Sequence, residues 1–279
     1  MRPVGIVGLG IVGGSLAAAL EDAGVEVLGY DLHRRIGRPE DLGPAEVVFL
    51  CVPTPPEPDG SADLSAVWAA VETAAPHLRP GTVIAVKSTV PPGTSNRLAE
   101  RFPEMEFASV PEFLVQERPL ETIRNQDRVV IGARSGEAAA AVADLMSRVA
   151  PSAPVLVLRP VEAELAKLAS NAMLAAKVAV ANELAEVSRR FGVPWSRVQS
   201  AVGLDRRIGP SHLTVTPERG FGGACLPKDF DALIAASRHA GYDPVLLERI
   251  AEFNRAIRDE AANGRHPRAA GTAGEEAVS

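Results

Sequence analysis

The chain has 279 residues, enough for one large or two modest domains with cores of their own. Its hydrophobic content of 46% is ordinary for a folded domain, and no apolar run reaches the length of a membrane span, so no membrane is expected. A formal net charge of −6 offers no electrostatic footprint for nucleic acid, and two cysteines, Cys51 and Cys225, are too few for a disulfide framework.

Few disulfide candidates and an N-terminus that enters a strand at once, without a signal peptide, make a reducing, cytoplasmic setting the default. The histidines, His33, His77, His212, His239 and His266, are scattered, so no metal site is expected. Pro3 to Leu9 reads as a short buried strand. It leads through Gly8-Leu9-Gly10-Ile11-Val12-Gly13 into a helical pattern over Ser15–Ala23, and a second strand, Val25–Tyr30, ends at Asp31. Strand, glycine turn, helix, strand and acid, in that order, form the dinucleotide fingerprint. The first glycine makes the turn, the second admits the pyrophosphate, and the third lets helix pack on strand; the helix N-terminus faces the phosphates. Asp31, 18 residues past Gly13, is placed to accept from a ribose 2′-OH and to repel a 2′-phosphate, so NAD is expected rather than NADP. Arg34 and Arg35 would weaken that preference if they met a 2′-phosphate, and read more simply as a solvated loop.

Apolar runs at Glu46–Val52, Thr82–Val86, Phe107–Val110, Arg128–Ile131 and Pro154–Leu158 continue the strand series, with helical stretches at Leu64–Leu78, Ser95–Phe102 and Gly136–Val149. This alternation predicts an α/β class: an N-terminal doubly wound, Rossmann-type domain over 1–158. Ligands then gather at the C-terminal strand ends, which makes candidates of Cys51-Val52-Pro53-Thr54, Lys87-Ser88-Thr89 and Pro111-Glu112-Phe113. Ser88 and Thr89 read equally well as satisfying loop backbone, and Glu112 as a surface acid.

At Pro160 the pattern changes. Val161–Arg190 reads as one long helix, rich in Ala and Leu, with Glu162 and Glu164 in its first turn, Arg189 and Arg190 in its last, and Gly192 as a stop. Lys167 and Asn171 are four apart and share a face, although Lys167 could equally be a snorkelling surface lysine. Further helices over Pro194–Leu204, Pro227–His239 and Pro244–Glu260, the last capped by Asp243, make 159–262 an all-helical domain. Residues 263–279 are small, polar and unpatterned, which predicts disorder.

Within the helical half, Gly220–Phe230 reads GFGGACLPKDF. Gly222, Gly223 and Ala224 let the backbone approach a ligand, Pro227 suits a first helical turn, and Asp229 and Asp231 suit the helix dipole. A thiol just before that helix, with Lys228 nearby, ionises more readily than an isolated one. The plainer reading of Cys225 is a small buried residue beside a glycine turn.

Taken together these motifs resemble the UDP-glucose/GDP-mannose dehydrogenase family over roughly residues 1–260. Gly8–Gly13 resembles its GxGxVG; Cys51–Pro55 with Asp59–Leu64 resembles CVPTP…DGSxDL; Lys87–Thr94 matches KSTVPPGT; Pro111–Leu114 matches PEFL; Glu164–Leu174 resembles ExxKLxxNxxL; Arg207–Gly209 supplies RIG; and Gly220–Asp229 resembles GFGGSCxxKD. The resemblance implies an NAD-dependent enzyme with Cys225 as nucleophile. Lys167 and Asn171 would polarise the substrate oxygen, Glu112 would serve thioester hydrolysis, and Thr89 and Asp229 would place a water and support proton transfer. It also implies cofactor contacts from Gly8, Gly10, Ile11, Val12, Gly13, Asp31, Cys51, Val52, Pro53, Thr54, Ser88, Thr89 and Lys228. Phe113, Leu114, Arg207, Phe221 and Gly222 would join Glu112, Lys167, Asn171 and Cys225 around a small-molecule substrate. The implied reaction takes a primary alcohol to a carboxylate in two hydride transfers, and the central helices imply a homodimer.

Three departures bear on the substrate. The family carries a second Rossmann-like domain after the central helices, and the resemblance here stops short of it. The family's long segment between the second and third strands is reduced to Leu32–Ala45, and Gln116 stands where the family often has an acid. A substrate smaller than a nucleotide sugar, or a partner chain supplying the missing surface, would each account for this; the first is expected. Two other classes compete: a two-electron β-hydroxyacid-type dehydrogenase, which needs no thiol, and a non-catalytic NAD-binding subunit.

Overall fold

The fold is that of a computed structural model, which describes residues 2–114 and 117–264. Among the described residues seven strands form one sheet: β1 (Val4–Val7), β2 (Val27–Tyr30), β3 (Val47–Leu50), β4 (Val83–Val86), β5 (Glu106–Ser109), β6 (Val129–Ala133) and β7 (Val155–Leu158), in the order β2-β1-β3-β4-β5-β6-β7. The helices are α1 (Ile11–Asp22), α2 (Ser65–Ala74), α3 (Thr94–Arg101), α4 (Pro119–Arg124), α5 (Gly136–Val149), α6 (Pro160–Arg190), α7 (Trp195–Gly203), α8 (Leu226–His239) and α9 (Val245–Ala262).

Strands β1 to β5 run parallel, with Val4 paired to both Val27 and Val47. Such strands are buried on both faces, which is why they read as continuous apolar runs. Alternate residues feed two cores: Ile6, Phe49, Ala85 and Ala108 on one face, Val7, Val48, Leu50, Ile84 and Val86 on the other. The order reverses between β1 and β3, so the switch-point crevice opens beside the glycine turn. β6 pairs antiparallel with β5, through Ala108–Ala133 and Ser109–Gly132, and β7 follows β6 in parallel. A parallel crossover needs a helix long enough to recross the sheet; the link from β5 to β6 carries only the short α4, which the sequence reading missed.

The chain divides into two compact units within α6, after Ala169, not ahead of that helix. The first turns of α6 belong with the sheet: a Cβ on Gly132 would lie 2.6 Å from the Ala163 Cβ and 2.7 Å from the Pro160 Cα. The unit from Ser170 on is helical, and its core joins Ala172, Ala175 and Ala179 of α6 to Phe221, Phe230, Ile234 and Ala251.

Several local expectations need correction. α1 starts at Ile11, inside the glycine motif. Only Glu162 lies in the first turn of α6, and only Asp229 in that of α8. Asp243 does not cap α9; Pro244 holds that position without a side-chain bond, because the helix starts one residue later than its cap signal implied. Asn263 and Gly264, assigned to the tail, close α9, where Asn263 Nδ2 donates to the Asp259 carbonyl at 2.8 Å. The remainder of that tail and Gln116 lie outside the described residues. Between β2 and β3 there is one short 3-10 turn, Pro39–Leu42, as the length of the segment required. Among the described residues no helix is long and apolar enough to cross a membrane.

Candidate active site

In the sheet unit the glycine turn closes by contact. Gly8 sits at φ +88°, where its Cβ would meet the Cys51 carbonyl oxygen at 2.7 Å, and a Cβ on Gly13 would lie 1.9 Å from the Gly8 carbonyl oxygen. Gly10 has nothing within 4 Å of its Cβ direction, and as N-cap of α1 it makes no side-chain bond to the helix. The first N–H groups of α1 are therefore left for an anion, as a pyrophosphate requires. A cavity of about 570 Å³ opens here, lined by Gly8, Gly10, Ile11, Val12, Asp31, Cys51, Val52 and Pro53. The open glycine, the uncapped helix and the acid fit a dinucleotide.

Asp31 accepts the Leu9 N–H at 2.7 Å and the Arg34 N–H at 2.8 Å. Burial works to raise its pKa, but the backbone donors of Arg34, Leu9 and His33 outweigh it and hold the carboxyl below its ordinary range. The sequence reading missed part of the lining: Tyr30, Leu32 and His33, and from α2 Ala66, Ala69, Ala70 and Thr73. The α2 set was visible as small residues at helical spacing. Arg34 is exposed and yet lines the cavity. Gly13, Thr54, Ser88 and Thr89 are not in the lining. Ser88 Oγ donates to the Val52 carbonyl at 2.6 Å and Thr54 Oγ1 to the Thr89 carbonyl at 2.8 Å, so both hydroxyls satisfy loop backbone.

At the ends of β4 and β5 lies a buried charge cluster. Lys87 is 2% exposed, and its Nζ donates to the Val110 carbonyl at 3.3 Å. Burial pushes its pKa down, opposed by nearby Cys51 and Glu112. Glu112 Oε2 accepts the Leu114 N–H at 2.6 Å, and Oε1 lies 3.2 Å from Lys167 Nζ. Neither partner is a surface group: their side chains are 14% and 6% exposed. Lys167 also stands 5.4 Å from the Phe113 ring centroid, with Arg128 at 4.0 Å. Half-buried Cys51 is a poor nucleophile, its thiol pushed up to about 12 chiefly by burial.

In the helical unit Cys225 is the N-cap of α8 and is exposed. One turn on, Asp229 is 1% exposed; Asn171 Nδ2 donates to its Oδ2 at 2.6 Å, and Lys228 Nζ lies 2.7 Å from its Oδ1. Lys228, expected at the cofactor, is here the partner of Asp229. The preceding loop is fixed from two helices. Gly220, at φ +60°, donates its N–H to Asn182 Oδ1 at 3.1 Å. Asn254 accepts the Phe221 N–H at 2.7 Å and donates to the Phe221 carbonyl at 3.0 Å. A Cβ on Gly222 would reach 2.6 Å from Arg258 Nη1. Asn182, Asn254 and Arg258 carry no motif of their own and were not anticipated. Phe221, assigned to substrate, is 4% exposed and packs 5.3 Å from the Phe230 ring, in the core. Arg207 is a surface group, paired with Asp205 at 2.6 Å.

Comparison with known proteins gives two domain matches in chain order. The NAD binding domain of the UDP-glucose/GDP-mannose dehydrogenase family matches residues 36–150, and its central domain matches residues 161–256. The UDP-glucose 6-dehydrogenase of Pseudomonas aeruginosa is 38% identical, over 77% of this chain and 49% of that protein. That of Haloferax volcanii is 32% identical, over 89% of this chain and 68% of that protein. A solved UDP-glucose dehydrogenase from Pyrobaculum islandicum matches with a TM-score of 0.82 at 34% identity, covering 93% of this chain and 68% of that one. The chain spans about half the length of several curated relatives it matches. With the sheet, the glycine turn and both domain matches in one order, the chain belongs to the UDP-glucose/GDP-mannose dehydrogenase family and carries that family's NAD-binding domain.

Proposed function

We propose that the chain oxidises a primary alcohol on a sugar or nucleotide sugar to the carboxylate, with Cys225 as covalent nucleophile. The observation that carries this is the buried Asp229 carboxylate, bonded to Asn171 and placed one turn after the exposed thiol at the start of α8. A structural cysteine needs no such neighbour. The helix N-terminus favours the thiolate.

Bound NAD supplies the hydride acceptor at each of the two oxidations. Cys225 adds its thiolate to the aldehyde carbon, forming the C–S bond of a thiohemiacetal. After the second hydride leaves, that carbon is a thioester. Lys167 and Asn171 donate to the substrate oxygen as it gains negative charge. Glu112 takes a proton from the attacking water, the C–S bond breaks, and Cys225 is restored as thiolate; Thr89 and Asp229 hold the water and pass the proton on. The balance is alcohol, water and two NAD in; carboxylate, two NADH and three protons out.

The relatives' names make UDP-glucose the first substrate to try, alongside free sugars and nucleosides bearing a 5′-CH2OH. NADH absorbance should rise by two per carboxylate formed, and Cys225→Ser should abolish acid formation. One NADH per substrate with an unimpaired Cys225→Ser variant would establish the two-electron class instead. No NADH from any primary alcohol, with NAD bound, would leave a non-catalytic subunit.

We infer also that α6 pairs with a second copy of the chain. Met173, Val180, Leu184, Val187 and Phe191 are 68%, 54%, 41%, 44% and 80% exposed, and their spacing puts them on one face. Light scattering should give twice the chain mass, and Phe191→Glu should halve it; a monomeric wild type removes the inference.

A further inference from the structure

The α3 helix has no cap of its own. Its N-cap is Gly93, at φ +92°, with no side chain to accept the first amide hydrogens. A carboxylate from a remote helix takes that place. Glu164 Oε2 accepts the Gly93 N–H at 2.5 Å and Oε1 accepts the Ser95 N–H at 2.8 Å, bridging 71 and 69 positions of sequence. Glu164 is 2% exposed, so these bonds work without competition from water. A negative charge at a helix N-terminus is also the sign the dipole favours.

This anchor holds a loop that takes part in the proposed reaction. Residues 87–93 form the loop between β4 and α3, and Thr89 lies within it. Near its start the loop is tied by Ser88 Oγ to the Val52 carbonyl and by Thr54 Oγ1 to the Thr89 carbonyl. Its far end is tied by Glu164. Three residues further along α6, Lys167 meets Glu112 at 3.2 Å. One helical turn thus delivers both the loop anchor and the buried cation, so that turn sets where Thr89 stands against the Lys167–Glu112 pair. Residues i and i+3 of a helix lie close on its surface, which makes the spacing stiff.

We propose that Glu164 is a positioning residue, holding the Thr89 loop in register with Lys167 and Glu112 for the water-consuming step. This rests on the proposed function for its chemistry, though the anchor itself does not.

The test compares wild type, Glu164→Gln and Glu164→Asp in the full chain. Gln keeps the shape but presents one acceptor and one donor to two amide donors; Asp keeps the charge but is one methylene short. Two readouts are taken. Amide hydrogen exchange across residues 88–98 needs no turnover, and in Glu164→Gln it should quicken by about tenfold or more there, leaving β1 and β3 unchanged. With UDP-glucose and NAD, the first NADH burst should keep its rate while steady-state turnover falls about 10- to 100-fold, with acylated Cys225 accumulating by mass. Glu164→Asp should recover part of the loss.

Unchanged exchange over 88–98 in Glu164→Gln overturns the proposal whatever the turnover. Faster exchange with burst and steady state falling together also overturns it, because the bond is then only structural. If wild type forms no NADH while exchange still quickens in the variant, the anchor stands and the proposed reaction fails.

Discussion

Asn171 Nδ2 lies 2.6 Å from Asp229 Oδ2, joining α6 to the first turn of α8 across 58 positions of sequence. Burying a carboxylate to 1% exposure is costly unless its oxygens are met, and here an amide and the Lys228 ammonium meet them. Asp229→Asn would set an amide donor against Asn171 or against Lys228. Stability should fall by about 2–3 kcal/mol in urea unfolding. NADH formation should fall on the order of 10²-fold or more, since a proton-handling group is lost. A variant that melts and turns over like wild type would show the pair to be incidental.

The two thiols should react very differently. Cys225 is exposed at a helix N-terminus, whereas burial pushes the Cys51 thiol up to about 12. Ellman's reagent on the native chain should therefore show one fast thiol. Cys225→Ser should remove the fast phase, and Cys51→Ser should leave it. A second fast thiol in the wild type would contradict the raised pKa of Cys51.

How far these features could be read from sequence depends on whether their cause is local. Buried parallel strands announce themselves as apolar runs, and Gly136–Val149 was bounded as found because its cap and its periodicity agree. The direction of β6 was not legible: an apolar run has no sense, and the six residues of α4 are too few to show a period. The glycine turn was legible because its glycines are required sterically. The partners of Glu164, Lys87 and Asn254 were not, because each lies a whole element or more away. A buried charge then looks like a surface one until its neighbours are known. The second half of the cavity wall, on α2, lay in view as small residues at helical spacing within a stretch read only as a helix.

The Lys167–Glu112 pair allows a test by double-mutant cycle. Removing one partner of a buried pair leaves the other uncompensated, at a cost of about 3–5 kcal/mol. Lys167→Met should approach that loss, softened because Lys87 is near enough to act on Glu112. Glu112→Gln should cost less, since its amide still offers an oxygen to Lys167. Combining them should restore most of the stability, with a coupling of about 1–3 kcal/mol. Additive losses would mean that the two side chains, 3.2 Å apart, do not interact energetically.

Asp31 ties stability to pH. Burial alone would raise its pKa, yet the N–H groups of Arg34, Leu9 and His33 carry it below the ordinary aspartate value. A folded-state pKa below the unfolded one means that the unfolded chain binds the proton more tightly, so stability rises with pH across the interval between them. The contribution is whole above about pH 4 and is lost as pH falls through the lower, folded-state value. Asp31→Asn should thus be less stable than wild type at pH 7, by about 1–2 kcal/mol, and the two should converge in acid. The same substitution should weaken NAD binding at pH 7, because Asp31 lines the cavity beside the glycine turn. Stability curves that stay parallel down to pH 2 would place the Asp31 charge outside the native balance, and unaltered NAD affinity would remove it from the cofactor site.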